Sequence, residues 1–225
     1  MDIANPSDLN SASAVPVVYQ GQFGDFTITP GDRREVVIYR SGLGLAALCL
    51  AVGAAILAWF DLSPTTLLGL TGLYTLFSLG LGVSLWTIHI YLIPLHRTLQ
   101  LFWGIGTLCS LVLLSRPEPL MITIYQTPQV VLGIGFMFAA LTGIFIKEAF
   151  CFNRLEAKGL TVLTPLVLLG HLTQLVPDSG IVYAIDLAAV LMVIFVLRKA
   201  FQPIPQDIGD KSVFAYLKQQ RSQSQ

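Results

Sequence analysis

Six long apolar stretches alternate with short polar segments along the chain, at residues 41–60, 62–88, 98–114, 129–146, 159–177 and 179–197. About twenty apolar residues carry a helix across the hydrocarbon core of a bilayer. The pattern therefore predicts an all-α, polytopic bundle of six transmembrane helices over residues 32–200. Polar punctuation sets the helix ends. Pro30-Gly31 breaks the chain, and Asp32 with Glu35 three residues on has the spacing of a reciprocal cap, so the first helix starts near residue 32 and ends by Asp61. Ser63-Pro64 reads as a cap followed by a first-turn proline and opens a second helix that runs to Tyr91. A third helix covers residues 96–114. The fourth opens at Thr127-Pro128 and projects to Glu156, and the fifth runs from Gly159 to Val176. The sixth follows the turn Pro177-Asp178-Ser179-Gly180 and stops at Arg198-Lys199.

The flanking segments carry weaker patterns. Residues 1–31 form a polar arm, partly extended or disordered, in which Val17-Val18-Tyr19 and Phe26-Thr27-Ile28 around Gly21 and Gly24 suit a small hairpin. In the tail, residues 201–225, Val213, Phe214 and Leu217 share a helical face beside Lys211 and Lys218, the spacing of a short interfacial helix. The first forty residues are polar and lack the form of a cleavable signal, so the first span is expected to target the chain itself.

Charge gives the bundle a direction. Of 13 Lys and Arg residues, only Arg116 falls on one side of the expected membrane. The others are Arg33, Arg34, Arg40, Arg97, Lys147, Arg154, Lys158, Arg198, Lys199, Lys211, Lys218 and Arg221. Loops on the cytoplasmic side carry the excess of Lys and Arg, so both termini are expected in the cytoplasm, or in the stroma of a plastid. Composition agrees with a bilayer environment: 54% of residues are hydrophobic and 12% charged, against about 25% charged in soluble domains. A formal net charge of zero and the lack of a basic stripe argue against nucleic acid as a partner. Cys49, Cys109 and Cys151 show no C-x-x-C spacing and read as small apolar residues.

Ionisable residues inside spans are costly in lipid and so are expected to face protein. Two lie deep: His171 and Asp186. They stand at matching depth about the turn between the fifth and sixth helices, as do Gln174 and Tyr183 one turn nearer the outside, which predicts a polar cluster of the four. Such a cluster can pin the last helical hairpin, pass protons or ions, or ligate a pigment or haem. Lys147, Glu148, Arg154, Glu156 and Lys158 read as a solvated helix end that doubles as a docking face for a partner. His89 and His96, seven residues apart at the membrane interface beside Trp86, Tyr91 and Trp103, read as an interfacial belt, with metal or pigment binding as the alternative. Small-residue stripes at Ala47, Ala51, Ala55 and at Gly135, Ala139, Gly143 allow close helix contact, within the chain or between copies.

Sharper chemistry finds no support. The chain has no H-E-x-x-H, no G-x-S-x-G, no G-x-G-D aspartates and no phosphate-binding glycine loop. An enzyme is not expected, and no cofactor is implied.

The segments Tyr39-Arg40-Ser41-Gly42, Trp86-Thr87-Ile88-His89-Ile90-Tyr91, Phe145-Ile146-Lys147-Glu148-Ala149-Phe150-Cys151 within Gly133 to Lys158, and Asp210-Lys211-Ser212-Val213-Phe214-Ala215-Tyr216-Leu217 carry a resemblance. Together they resemble an uncharacterised integral membrane protein family of cyanobacteria, with relatives in plastid-bearing organisms. The resemblance covers most of the chain after residue 15 and implies a cyanobacterial cytoplasmic or thylakoid membrane. It transfers no activity. Two functions remain open: a non-catalytic assembly, stability or scaffold factor for a larger membrane complex, photosynthetic complexes among them, or a small transporter or channel built on His171 and Asp186.

Overall fold

Proline, small capping side chains and left-handed turns divide the chain into its elements. The computed structural model describes residues 17–223; the part of the N-terminal arm before residue 17 lies outside them. A two-stranded antiparallel hairpin comes first, β1 (Val18–Gly21) and β2 (Gly24–Thr27). Helix α1 (Pro30–Trp59) is capped by Thr29, whose side chain accepts from the Asp32 N–H while the Asp32 carboxylate accepts from the Thr29 N–H. The cap therefore lies three residues before the Asp32 and Glu35 pair expected from sequence. Pro30 occupies the first turn, where a missing N–H costs nothing. Glu35 instead lies 3.3 Å from His89 Nε2.

Helix α2 (Pro64–Thr87) starts on the Ser63 cap as expected but stops four residues short of Tyr91. Residues 88–92 run non-helically into α3 (Ile93–Leu114), and Ile88 and Ile90 are both buried on either side of His89. Burying alternate residues is what an extended segment does, and it stitches this loop to the core. After α3 comes a short helix without a sequence signal, α4 (Leu120–Gln126), and then a single 3-10 turn into α5 (Val131–Phe152). Helix α5 does not project to Glu156. Asn153 takes a left-handed conformation, φ 50°, which ends the helix and lets α6 (Leu155–Thr173) begin two residues on. Helix α6 closes the same way at Gln174, φ 55°, before α7 (Asp178–Ala200). A short α8 (Ile204–Ile208) and α9 (Lys211–Gln223) complete the described chain.

Six of these helices are long and apolar enough to cross a membrane, the α5 span beginning at Pro128. Each packs on its neighbours in the closed order α1, α2, α3, α5, α6, α7 and back to α1, with α4 lying against α2 and α3. Lipid competes with protein for apolar side chains, so close helix approach depends on small residues. A tight crossing joins α1 and α2, where a methyl group at Gly42 would lie 2.5 Å from both Gly80 O and Ser84 Oγ. Of the stripes expected from sequence, Ala47 is buried in the core, Ala51 and Ala55 are half-buried, and Gly143 abuts Leu99 of α3. The Gly135, Ala139, Gly143 stripe thus takes part in contact within the chain.

Both described ends of the chain meet at one end of the ring, here termed the basic end. The hairpin docks on α9: the Gln22 N–H donates to Asp210 Oδ2 (2.6 Å), the Phe23 N–H donates to Ser212 Oγ (3.0 Å), and Phe23 stacks on Tyr216 with centroids 4.0 Å apart. Lys211 Nζ reaches Asp32 at 2.7 Å. The aromatic face of α9 is thus taken up by the chain itself, with Phe214 against Tyr91.

Candidate functional site

At the basic end, the residues expected to form a solvated docking face turn inward. Glu148 is 0% exposed, and Arg154 and Glu156 are 9% and 5% exposed. The turn at Asn153 is the cause, because a one-turn reversal between α5 and α6 swings Arg154 and Glu156 back against the bundle. Glu148 accepts from Lys199 Nζ (2.5 Å), Lys147 Nζ (3.0 Å) and the Tyr39 hydroxyl (3.1 Å). Lys199, at 1% exposure, also bonds Asp207, which in turn holds Arg40 through Oδ2 at 2.7 Å. Arg154 donates to Gln202 Oε1 (2.5 Å), and Glu156 pairs with the more exposed Arg198 at 2.8 Å. Of the five residues, Lys158 is exposed and donates to Asn153 Oδ1. Three cations, Arg40, Lys147 and Lys199, thus share two carboxylates, Glu148 and Asp207; both carboxylates and Lys199 are buried, and Arg40 and Lys147 are partly exposed. Phe152 lies under the Lys199 ammonium, 4.6 Å from ring centroid to Nζ.

In the sequence Lys199 reads as a helix stop, and no local pattern marks Tyr39, Gln202 or Asp207 as site residues. A readable signal exists in hindsight: Lys147-Glu148 interrupts an otherwise apolar run, and buried charges need partners. Which residues supply those partners depends on α1, α7 and α8 converging there, and nothing local encodes that.

Toward the middle of the bundle, the network gives way to apolar packing. Phe145 on α5 meets Phe195 on α7 edge-on, with centroids 5.6 Å apart. Glu148 is three residues beyond the first and Lys199 four beyond the second, so each pair shares a helix face. An aromatic layer therefore seals the charges from the other half of the ring. Above that layer the interior is not filled. A half-enclosed cavity of about 530 Å³ runs from Phe145 and Leu160 toward the far end, between α1, α2, α5, α6 and α7, with α4 at its mouth. Its walls are Leu, Ile, Val, Phe and Ala side chains with few polar groups, and four of those polar groups are Thr164, His171, Tyr125 and Asp178.

The expected cluster of His171, Gln174, Tyr183 and Asp186 does not form. His171 Nε2 bonds Ile124 O of α4 at 2.9 Å, and Gln174 Nε2 donates back to the His171 carbonyl. Tyr183 is 73% exposed, and Asp186 has no hydrogen-bond or ion-pair partner among the described residues. Matching depth did not bring the side chains together, because α6 ends at Gln174 and its orientation about its axis is set by packing on α5 and α7. At the mouth, the Tyr125 hydroxyl donates to Asp178 Oδ2 (2.9 Å), and that bond to an acceptor carboxylate pushes its own proton loss upward.

His89 and His96 are likewise held apart by separate duties. His96 Nε2 donates to Leu85 O at 2.7 Å, satisfying a carbonyl left open where α2 ends. His89 lies near Glu35, and burial pushes its proton affinity down while Glu35 pulls the other way. Among the described residues, no three His, Cys, Asp or Glu side chains are grouped so as to hold a metal ion.

Six apolar helices in a closed ring, with charges at one end and hydrocarbon along the sides, define a polytopic integral membrane protein. A family described as "Uncharacterized integral membrane protein (DUF2301)" matches residues 83–216, more than half of the chain, and the protein belongs to that family. The match reaches from the end of α2 to α9 and includes the carboxylates Glu148 and Asp207 with Lys199, whereas Tyr39 and Arg40 lie before it. Comparison with curated proteins and with solved structures yields no match.

Proposed function

We propose that this is a non-catalytic membrane protein that holds an apolar molecule of the bilayer within its helix ring and, so loaded, stabilises or helps assemble a larger membrane complex. The carrying observation is the asymmetry of the interior: one half is closed by an aromatic layer and a hydrogen-bonded charge network, the other is hollow and apolar. Apolar cavities of several hundred Å³ with a few polar groups are the ordinary form of small-molecule sites. The excess of Lys and Arg supports a cytoplasmic or stromal position for the basic end, and the loop segments that resemble cyanobacterial and plastid proteins support a cytoplasmic or thylakoid membrane, with photosynthetic complexes as candidate partners.

With the charged cluster buried, the surface left for docking at the basic end is the hairpin with α9. A channel or transporter based on His171 and Asp186 draws less support, since the two are not bonded and the ring is sealed below them. The test is extraction of the tagged protein in a mild detergent, followed by mass spectrometry of co-purifying proteins, pigments and lipids. An apolar molecule recovered in near-equal amount with the protein, and lost from an Ala54→Trp variant whose new ring fills the cavity, is the expected result. Recovery of a partnerless protein whose lipids merely mirror the bulk membrane would overturn the proposal.

A further inference from the structure

We infer that the cavity is a site for a single kinked or branched chain of about twenty carbons that ends in a hydroxyl group, with the hydroxyl donating to His171 Nδ1. This rests on the apolar-ligand reading above and names the ligand class. Size comes first. An apolar cavity of ~150 Å³ takes one benzene ring, so 530 Å³ holds about twenty carbon atoms at the same density. A two-chain lipid exceeds that, and so does a tetrapyrrole with its tail. Shape comes second. On α7 the lining runs from Asp178 to Ala188, which at 1.5 Å per residue is about 15 Å. A straight chain of that carbon count is longer, so the occupant bends or branches.

The head follows from hydrogen-bond chemistry. The Ile124 carbonyl can only accept, so His171 Nε2 carries the proton and donates to it at 2.9 Å. In that neutral tautomer Nδ1 is an acceptor, and among the described residues nothing donates to it. His171 lines the cavity near its mouth. Nearby, Asp178 also lines the mouth and accepts from Tyr125 through Oδ2. Both groups present acceptors to an incoming head, and neither offers a free donor. A carboxylate or phosphate head is therefore disfavoured beside Asp178, a ketone or ether can accept from Thr164 or Gln126 in the lining but leaves His171 Nδ1 without a donor, and an alcohol fits.

The experiment is an internal competition. Purified protein is equilibrated in detergent with equal amounts of oleyl alcohol and its methyl ether, two chains of the same length and kink, and native mass spectrometry reads the occupancy of each. One net hydrogen bond predicts a preference for the alcohol on the order of fivefold. The preference is expected to fall to parity in His171→Phe while total chain occupancy persists, and both chains are expected to be lost in Ala54→Trp. If Ala54→Trp is not recovered as a folded protein, Gly53→Leu, whose new side chain projects from the cavity wall, takes its place. Equal occupancy by alcohol and ether in the wild type would overturn the hydroxyl assignment and leave the apolar-ligand reading standing. Binding of neither chain, or binding indifferent to cavity filling, would overturn both. The wild-type comparison decides the head by itself, whatever the yield of the variants.

Discussion

Replacing Glu148 by Gln removes one of two buried carboxylates shared by the buried Lys199 and the partly exposed Arg40 and Lys147. Glu148 lies 2.5 Å from Lys199 Nζ and 3.0 Å from Lys147 Nζ, with no exposed surface. After Glu148→Gln, Arg40, Lys147 and Lys199 are left with Asp207 alone. Removing one partner of a buried ion pair costs about 3–5 kcal/mol, most of it from the charge left without compensation. In a chain of this size 1 kcal/mol moves Tm by roughly 2–4 °C, so a fall of roughly 6–20 °C is expected. Lys199→Met behaves differently. Arg40 and Lys147 then balance Glu148 and Asp207 two against two, and each carboxylate keeps a cation within 3.0 Å. What is lost is charge-assisted hydrogen bonding, about 1.5–3 kcal/mol. The double variant restores the wild-type excess of a single positive charge, so its cost is expected to fall short of the sum of the singles by about 0.5–3 kcal/mol. Thermal unfolding of the four proteins in one detergent, followed by tryptophan fluorescence, measures the whole cycle. A Lys199→Met protein that melts at or below Glu148→Gln, or strict additivity in the double variant, would refute the assignment of charge balance as the controlling quantity.

Two further outcomes follow from geometry elsewhere. Hydrogen bonds from Ser212 and from the Gln22 N–H hold the Asp210 carboxyl below the ordinary carboxylate range. A depressed carboxylate contributes fully above its unfolded value, about 3.9, and loses that contribution as pH falls through the lower folded value. Hydrogen-exchange protection at Gln22 and Phe23, corrected for the intrinsic rate, is therefore expected to hold at neutral pH and to drop under acid below about 3.9; protection unchanged in Asp210→Asn would contradict this. At the α1–α2 crossing, Gly42→Val places atoms where Gly80 O and Ser84 Oγ already stand. Overpacking of this kind costs about 1–3 kcal/mol, whereas Gly69→Ala, with nothing within 4 Å of its new methyl, is expected to leave Tm unchanged or raised.

The ends of the spans show where local sequence is sufficient. Ser63-Pro64 opens α2 because a hydroxyl accepts the Thr66 N–H and a proline needs no partner in the first turn. Both signals act within four residues. The Asn153 turn shows where it is not. Asn is one of the few residues that enters the left-handed region readily, yet nothing nearby says that it will do so, and without that turn the sequence predicts a docking face where a buried network stands. The polar cluster on α6 and α7 failed for a related reason. Depth in a membrane is set by residue count along the helix, but facing is set by rotation, and rotation is decided by every neighbour against which the helix packs.

The alternation of apolar and polar stretches was by itself enough to determine six spanning helices and the gathering of charge at one end, because a bilayer admits backbone only when its hydrogen bonds close within each segment. Tertiary structure alone decided that Glu148, Lys199, Asp207, Arg40 and Tyr39 meet, that Phe145 and Phe195 close the ring above them, and that the other half of the interior stays hollow. Those facts depend on helices up to 168 positions apart, from Tyr39 to Asp207, reaching one point in space. Hydropathy selects which residues avoid water; only the closed ring of helices fixes which of them touch and what volume they leave between them.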